Sequence, residues 1–247
     1  MNKSLRNVWI VYRRELCSHF DSSLAYVFII VFLVLSIGLG FLFNRFLEND
    51  QASLEAFFMF HPWLFMVLAP AVGMRLWSDE HRTGTIELLL TMPLAVWEAI
   101  VGKFLAAFTV LAFAIVLTFP TVVTVQYLGD PDYGPIIASY VSSLLFAGVC
   151  LAITSMVSSM SRSLVAALVA SVAICFLLIL IGLPPTTDFF TSFLGGAFAE
   201  GLAELSILRH FIDMQRGVIT LQNLYFYVAV IAFCLFTTSV IIRAKRA

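Results

Sequence analysis

The feature that most limits what this chain can fold into is a series of apolar runs whose charges fall only at their ends. Residues 24–43, 57–77, 104–128, 136–160, 164–183 and 224–242 read this way, and ~20 apolar residues in a helix cross the hydrocarbon core of a bilayer. A spanning segment must satisfy its own backbone, which favours helices. Only 12% of the 247 residues are charged, about half the usual share of a soluble domain, so an aqueous globular core does not account for the runs. The expected fold is an all-α polytopic membrane protein with six transmembrane helices, and residues 1–247 are expected to form a single transmembrane domain.

Charge placement orients that domain. Six spans put both termini on one side. On that side lie all of the 14 lysines and arginines except Arg45, Arg209 and Arg216. The positive-inside rule makes it the cytoplasm. The formal net charge of −1 gives no overall attraction to nucleic acid. No run carries Asp, Glu, Lys or Arg at its middle, where ion-coupled carriers and voltage sensors hold their working charge. Energy for any movement is therefore expected from outside the membrane domain. Gly102-Lys103 is not a phosphate-binding loop, since it lacks the earlier glycine and runs into Phe104; Trp97 and Lys103 in residues 94–103 suit a membrane boundary ahead of the third run. His19, His61, His81 and His210 make no zinc-ligand pair on one helix and no nucleophile–base pair at membrane depth. This chain by itself is thus not expected to be an enzyme. Cys17, Cys150, Cys175 and Cys234 lack metal-ligand spacing, and the three inside apolar runs read as small hydrophobes.

Two amphipathic stretches stand out. From Leu5 the apolar positions Leu5, Val8, Trp9, Tyr12, Leu16 and Phe20 follow a helical period, with Lys3, Arg6, Arg13, Arg14 and Glu15 on other faces. This predicts a basic helix over 1–22 that either lies in the headgroup region, with Trp9 and Tyr12 at its edge, or packs on its own protein. Residues 78–93, between the second and third runs, open with charge and close on Pro93. Thr83 and Thr85 are expected as N-cap hydroxyls, Gly84 as relaxing the opening turn, and Glu87 in a first turn where the positive helix end favours an acid. Pattern alone leaves this helix as either a working surface element or an ordinary solvated link. Residues 184–222 read as an extracytoplasmic segment, amphipathic through Glu204, Arg209, His210, Asp213 and Arg216.

Three spans carry further marks, and in the third Pro120 stands among Thr118, Thr121 and Thr124, whose hydroxyls can re-satisfy the backbone beside a proline. Pro62 and Pro70 predict a bent or interrupted second span. His61 is expected to cap that span at its outer end, with contact to a substrate as the other reading. Ser142, Ser143, Ser155, Ser158 and Ser159 in the fourth span admit close helix packing or a channel lining, and packing is the simpler account.

The run Glu80-x-x-x-Gly84-Thr85-x-Glu87-x-Leu89-Leu90-x-x-Pro93, followed by Gly102-Lys103-Phe104, resembles the segment between the second and third spans in permease subunits of ATP-binding-cassette exporters of the type-two class. The N-terminal helix, the six spans and His210-Phe211-x-x-x-x-Arg216-Gly217-Val218-Ile219 are similar to the same class, particularly its gliding-associated branch. The resemblance implies that 78–93 is a coupling helix docking on a separate ATPase subunit through Glu80, Thr83, Gly84, Thr85, Glu87 and Leu88. Helix 1–22, with Trp9, Tyr12, Arg13, Arg14 and Glu15, would be the interfacial helix giving a second contact. It further implies no cofactor in this chain, ATP and Mg²⁺ on the partner ATPase, a dimer with a second copy or a paralogue, and a bacterial plasma membrane. Export of a substrate follows as the expected activity. The outer loops are short, so the resemblance also admits a mechanotransmitting subunit that drives an extracytoplasmic accessory protein without passing cargo itself.

Overall fold

The computed structural model describes residues 3–44, 54–85, 94–129, 131–183, 186, 201 and 204–244. Among them the regular structure is all α-helix, with no strand. In chain order the helices are α1 (Lys3–Asp21), α2 (Ser23–Asn44), α3 (Glu55–Met59), α4 (His61–Gly73), α5 (Arg75–Thr83), α6 (Val96–Val116), α7 (Phe119–Leu128), α8 (Tyr133–Met160), α9 (Leu164–Leu180), α10 (Ile207–Gln215) and α11 (Leu221–Ala244). Four described stretches are long and apolar enough to cross a membrane, namely Ser23–Leu42, Val96–Tyr127, Tyr133–Met160 and Leu221–Ala244; Leu164–Leu180 is a shorter apolar helix.

The expected second span is not one helix. It breaks at Phe60 and again at Met74, giving α3, α4 and α5. Pro62 stands in the first turn of α4, where a missing amide costs nothing. The third run breaks in the same way, with Pro120 in the first turn of α7. It also starts earlier than expected, because Val96–Lys103 joins α6 and is not a separate boundary segment.

Helix α8 is the axis of the bundle. Buried residues make up 72% of its most apolar window, and α4, α5, α6, α9, α10 and α11 all pack on it. Small side chains permit this. A Cβ on Gly73 would sit 2.9 Å from both Leu151 and Thr154, so the α4 and α8 backbones run close together.

His61 departs from its expected place at an outer interface. It is fully buried, with Nε2 2.9 Å from Ser36 Oγ and Nδ1 2.8 Å from Ser143 Oγ. Phe32, Phe57, Phe58 and Phe65 surround the ring. A buried polar ring needs partners, and here it finds one on α2 and one on α8. The histidine ties three helices together.

At the end of the bundle away from α5, α10 lays Ile207, Leu208, Phe211 and Met214 inward. His210 Nε2 donates to the Glu204 carbonyl (3.0 Å), Nδ1 meets the Asn223 side chain (2.8 Å), and the ring stacks on Phe226 at 4.0 Å. These contacts dock the amphipathic helix on the start of α11.

Candidate functional site

Helix α5 has nine residues, too few to persist by local propensity. Contacts with α8 and α6 hold it. At its base, where the α4 ladder breaks, Ser158 Oγ donates to the Met74 carbonyl (3.0 Å) and accepts from the amides of Trp77 (3.0 Å) and Ser78 (3.0 Å). One hydroxyl thus gives its proton and both lone pairs to backbone groups that a helix start leaves over. Trp77 is fully buried and its Nε1 donates to Ser155 Oγ at 3.1 Å. His81 Nε2 donates to the Ser159 carbonyl at 2.9 Å. Ser155, Ser158 and Ser159 share one face of α8 by their spacing, and that i, i+3, i+4 pattern was the signal in the sequence for this seat.

The far end of α5 is exposed. Asp79 pairs with Arg75 (3.5 Å) and Arg82 (3.2 Å); solvent-facing pairs of this kind contribute less than ~1 kcal/mol. Thr83 is the last residue of α5 and its hydroxyl donates to the Asp79 carbonyl at 2.8 Å. Gly84 takes φ +72°, the left-handed conformation that closes a helix and favours glycine. This corrects the expected N-cap role of Thr83, which is the last residue of α5 and is followed by Gly84 as its closing turn; Thr85 is helical again, and residues 86–93 lie outside the described residues. Thr85 Oγ1 lies 3.0 Å from Thr83 Oγ1, and Thr83, Gly84 and Thr85 are all exposed. Glu87, Leu88 and Pro93 lie outside the described residues.

Lys103, on α6, was expected at the membrane boundary. It is buried instead, 4% exposed. Its Nζ lies 2.9 Å from Glu80 Oε1, 3.2 Å from Glu15 Oε1 and 5.4 Å from the Trp77 ring centre. A lysine is rarely buried without ionic partners, and these come from α5 and α1. Arg14 adds a 2.6 Å contact to Glu15. Of the three carboxylates singled out from sequence for partner contact, Glu80 and Glu15 turn inward, and Glu87 lies outside the described residues.

Helix α1 lies along α6. Ser4 and Asn7 donate to Glu98 at 2.5 and 2.9 Å, and Glu98 also accepts from the Ala95 amide at the start of α6 (3.2 Å). Val8 and Val11 pack on Gly102, where an added Cβ would meet Val11 at 2.8 Å and the Val8 carbonyl at 3.1 Å. The Tyr12 hydroxyl lies 3.2 Å from Thr109 Oγ1. One face of α1 is therefore packed on its own protein. The other face exposes Leu5, Trp9 and Ile10 beside exposed Arg6, Arg13 and Arg14, with Trp9 stacked on Tyr12 at 5.2 Å.

Burial alone would raise the Glu15 pKa, but the Lys103 ammonium and the Arg14 guanidinium outweigh it and hold the carboxyl below its ordinary value. His19 is also held low, chiefly by desolvation, with Glu15 opposing and Lys103 and Arg75 assisting. Both shifts act with one sign. The detached helix takes up protons first, so docking is favoured above the ordinary values and lost as pH falls, first through the histidine range near 6.5 and then through the carboxylate range near 4.5. Amide exchange of residues 3–21, corrected for its intrinsic pH dependence, is expected to quicken between about pH 7 and pH 5. His19→Gln is expected to flatten the upper part of that change. An exchange rate indifferent to pH across this range would contradict it.

Among the described residues no group of three or more His, Cys, Asp or Glu is placed to hold a metal ion. Two open clefts of about 360 and 410 Å³ lie at the end away from α5, and Arg216 lines both. Asp132 and Ser139 face the first, Arg209 and Asp213 the second.

A family model described as ABC-2 family transporter protein matches residues 45–241, which include the whole of α3 to α10. Among curated proteins none matches the chain.

Proposed function

The chain belongs to the ABC-2 transporter family, whose multi-pass membrane permeases work with an ATP-binding cassette, and from that membership we propose that it is the permease of a bacterial exporter coupled through α5. In this reading the bundle crosses the plasma membrane six times, counting the broken α3–α5 segment and the short α9 as spans. Both termini are cytoplasmic, and two copies or a copy and a paralogue form the dimer. ATP and Mg²⁺ bind the partner, and this chain carries out no chemistry.

The observation that carries the proposal is the seating of α5. Its base is bonded to the central helix through Ser158, Ser155 and Ser159, while Thr83, Gly84 and Thr85 stand exposed at its tip. A rigid strut from the bundle axis to an exposed turn passes a displacement inward, as a flexible loop does not. The contact surface is then Thr83, Gly84 and Thr85, continued by Glu87 and Leu88, with Glu80 bracing the strut from within. Helix α1 gives the second contact through Arg13 and Arg14, with Trp9 and Tyr12 at the membrane surface and Glu15 turned inward. The gliding-associated branch remains the proposed subgroup.

A second reading, transmission of force to an extracytoplasmic accessory protein without passage of cargo, draws on the same geometry. Of the α8 serines that could line a channel, Ser143 is engaged by His61, Ser155 by Trp77 and Ser158 by the α4–α5 break. This favours a cargo route between copies, or none. Arg216, facing both clefts at the far end, is the proposed contact for the accessory protein.

Purification of the tagged protein in mild detergent tests the proposal. A stoichiometric ATP-binding-cassette subunit is expected, and Thr85→Trp, which adds bulk at an exposed position, is expected to lose most of it. Glu87→Ala is expected to assemble but lower stimulated ATPase activity. A clean preparation with no ATPase would overturn the reading, and full activity in Glu87→Ala would remove Glu87 from the contact.

A further inference from the structure

Glu15, Glu80 and Lys103 come from three helices far apart in sequence and meet at one buried point. Each carboxylate side chain is 16% exposed and the lysine side chain 5%. The second oxygen of Glu80 has no hydrogen-bond partner among the described residues, so Lys103 is its neutralising contact there. Among the described residues, the remaining side-chain bonds of α1 to other helices lead to α6, through Glu98 and Thr109, and not to α5. Arg75 donates to Ser22 at 3.2 Å, but that bond is exposed and lies beyond the end of α1.

We propose that Lys103 is a positioning residue that fastens α1 and α5 into one coupling unit, so that a displacement of the α5 tip carries α1 with it. This rests on the permease reading above. The chemistry of the cluster supports it. Two buried carboxylates repel one another unless a cation lies between them, and Lys103 is that cation. Without it the two helices are driven apart. An exposed lysine pair would hold them only weakly. Neutralising all three groups at once removes both the attraction and the repulsion, and buried ion clusters replaced whole by neutral residues of similar size commonly keep their structure.

The test uses the full chain in complex with its ATPase. Cys17 is exposed, and Cys150, Cys175 and Cys234 are buried, so nitroxides on Cys17 and on Thr85→Cys report the distance from α1 to the α5 tip. A narrow distribution is expected in the parent protein. Lys103→Met is expected to broaden it and to lower stimulated ATPase activity about tenfold or more, and Glu15→Gln/Lys103→Met/Glu80→Gln to narrow it again and restore activity to within about threefold. Unchanged distances and activity in Lys103→Met would overturn the proposal. So would equal loss in the single and triple variants, including failure of both to assemble, because a charge clamp requires rescue by neutralisation. If the parent protein brings down no ATPase, the permease reading falls, while the distance comparison still decides whether Lys103 joins the two helices.

Discussion

Replacing Ser158 with alanine removes one oxygen atom and is expected to destabilise the bundle by about 3 kcal/mol. The Trp77 and Ser78 amides both donate to that oxygen, and the Met74 carbonyl accepts its proton. A buried backbone group left without a partner costs ~1–3 kcal/mol, and the cost is not recovered from water where none can reach. Ser171→Ala is the comparison. Ser171 is equally buried, but its hydroxyl only donates to the Ala167 carbonyl one turn back in its own helix, at 2.6 Å, so its loss leaves the backbone ladder intact. Thermal denaturation of the two variants in the same detergent is expected to show a clearly lower midpoint for Ser158→Ala and almost none of that loss for Ser171→Ala. Equal midpoints would mean that Ser158 does not hold the α4–α5 break. ATPase stimulation is expected to fall with Ser158→Ala as well, since the strut loses its seat.

Gly102→Leu is expected to lift α1 off α6. The added Cβ would come within 2.8 Å of Val11 Cγ1 and 3.1 Å of the Val8 carbonyl. The valine can turn, but the carbonyl belongs to the α1 backbone and moves only with the helix. Overpacking of this kind costs ~1–3 kcal/mol or more, which corresponds to about a tenfold rise or more in the detached population. Trypsin cleavage after Arg13 and Arg14 reads that population when opening is fast, so cleavage is expected to accelerate by about the same factor. Gly38→Leu is the control, because a Cβ there meets nothing within 4 Å. Equal cleavage of the two variants would show that α1 is not held at Gly102.

Composition and hydropathy were enough to read an all-helical membrane bundle, because apolar length is a one-dimensional quantity. The breaks within spans were only partly legible. Pro62, Pro70 and Pro120 marked them, but whether a proline bends a helix or ends it depends on what takes up the freed backbone groups. For α5 that is Ser158, 80 positions away from Ser78 in sequence. The same limit misled the reading of Thr83. A threonine before glycine suits either end of a helix, and Trp77 and Ser78 binding α8 made residues 75–83 a helix of their own that closes at Gly84. Lys103 next to Gly102 read as a boundary lysine because its partners, Glu15 and Glu80, are not its neighbours in the chain. His61 read as interfacial for the same reason, since Ser36 and Ser143 lie on other helices. Local signals thus located the helices, and long-range polar pairs decided which of their ends do work.

In the proposed permease, the exposed α5 tip is where the ATPase docks. A photocrosslinking residue at Thr85, compared in cells with one at Tyr127, which is 93% exposed at the opposite end of the bundle, tests it directly. The expected result is an adduct between Thr85 and an ATP-binding-cassette subunit, with none from Tyr127. Adducts to that subunit from Tyr127 but not from Thr85 would contradict both the orientation and the docking site.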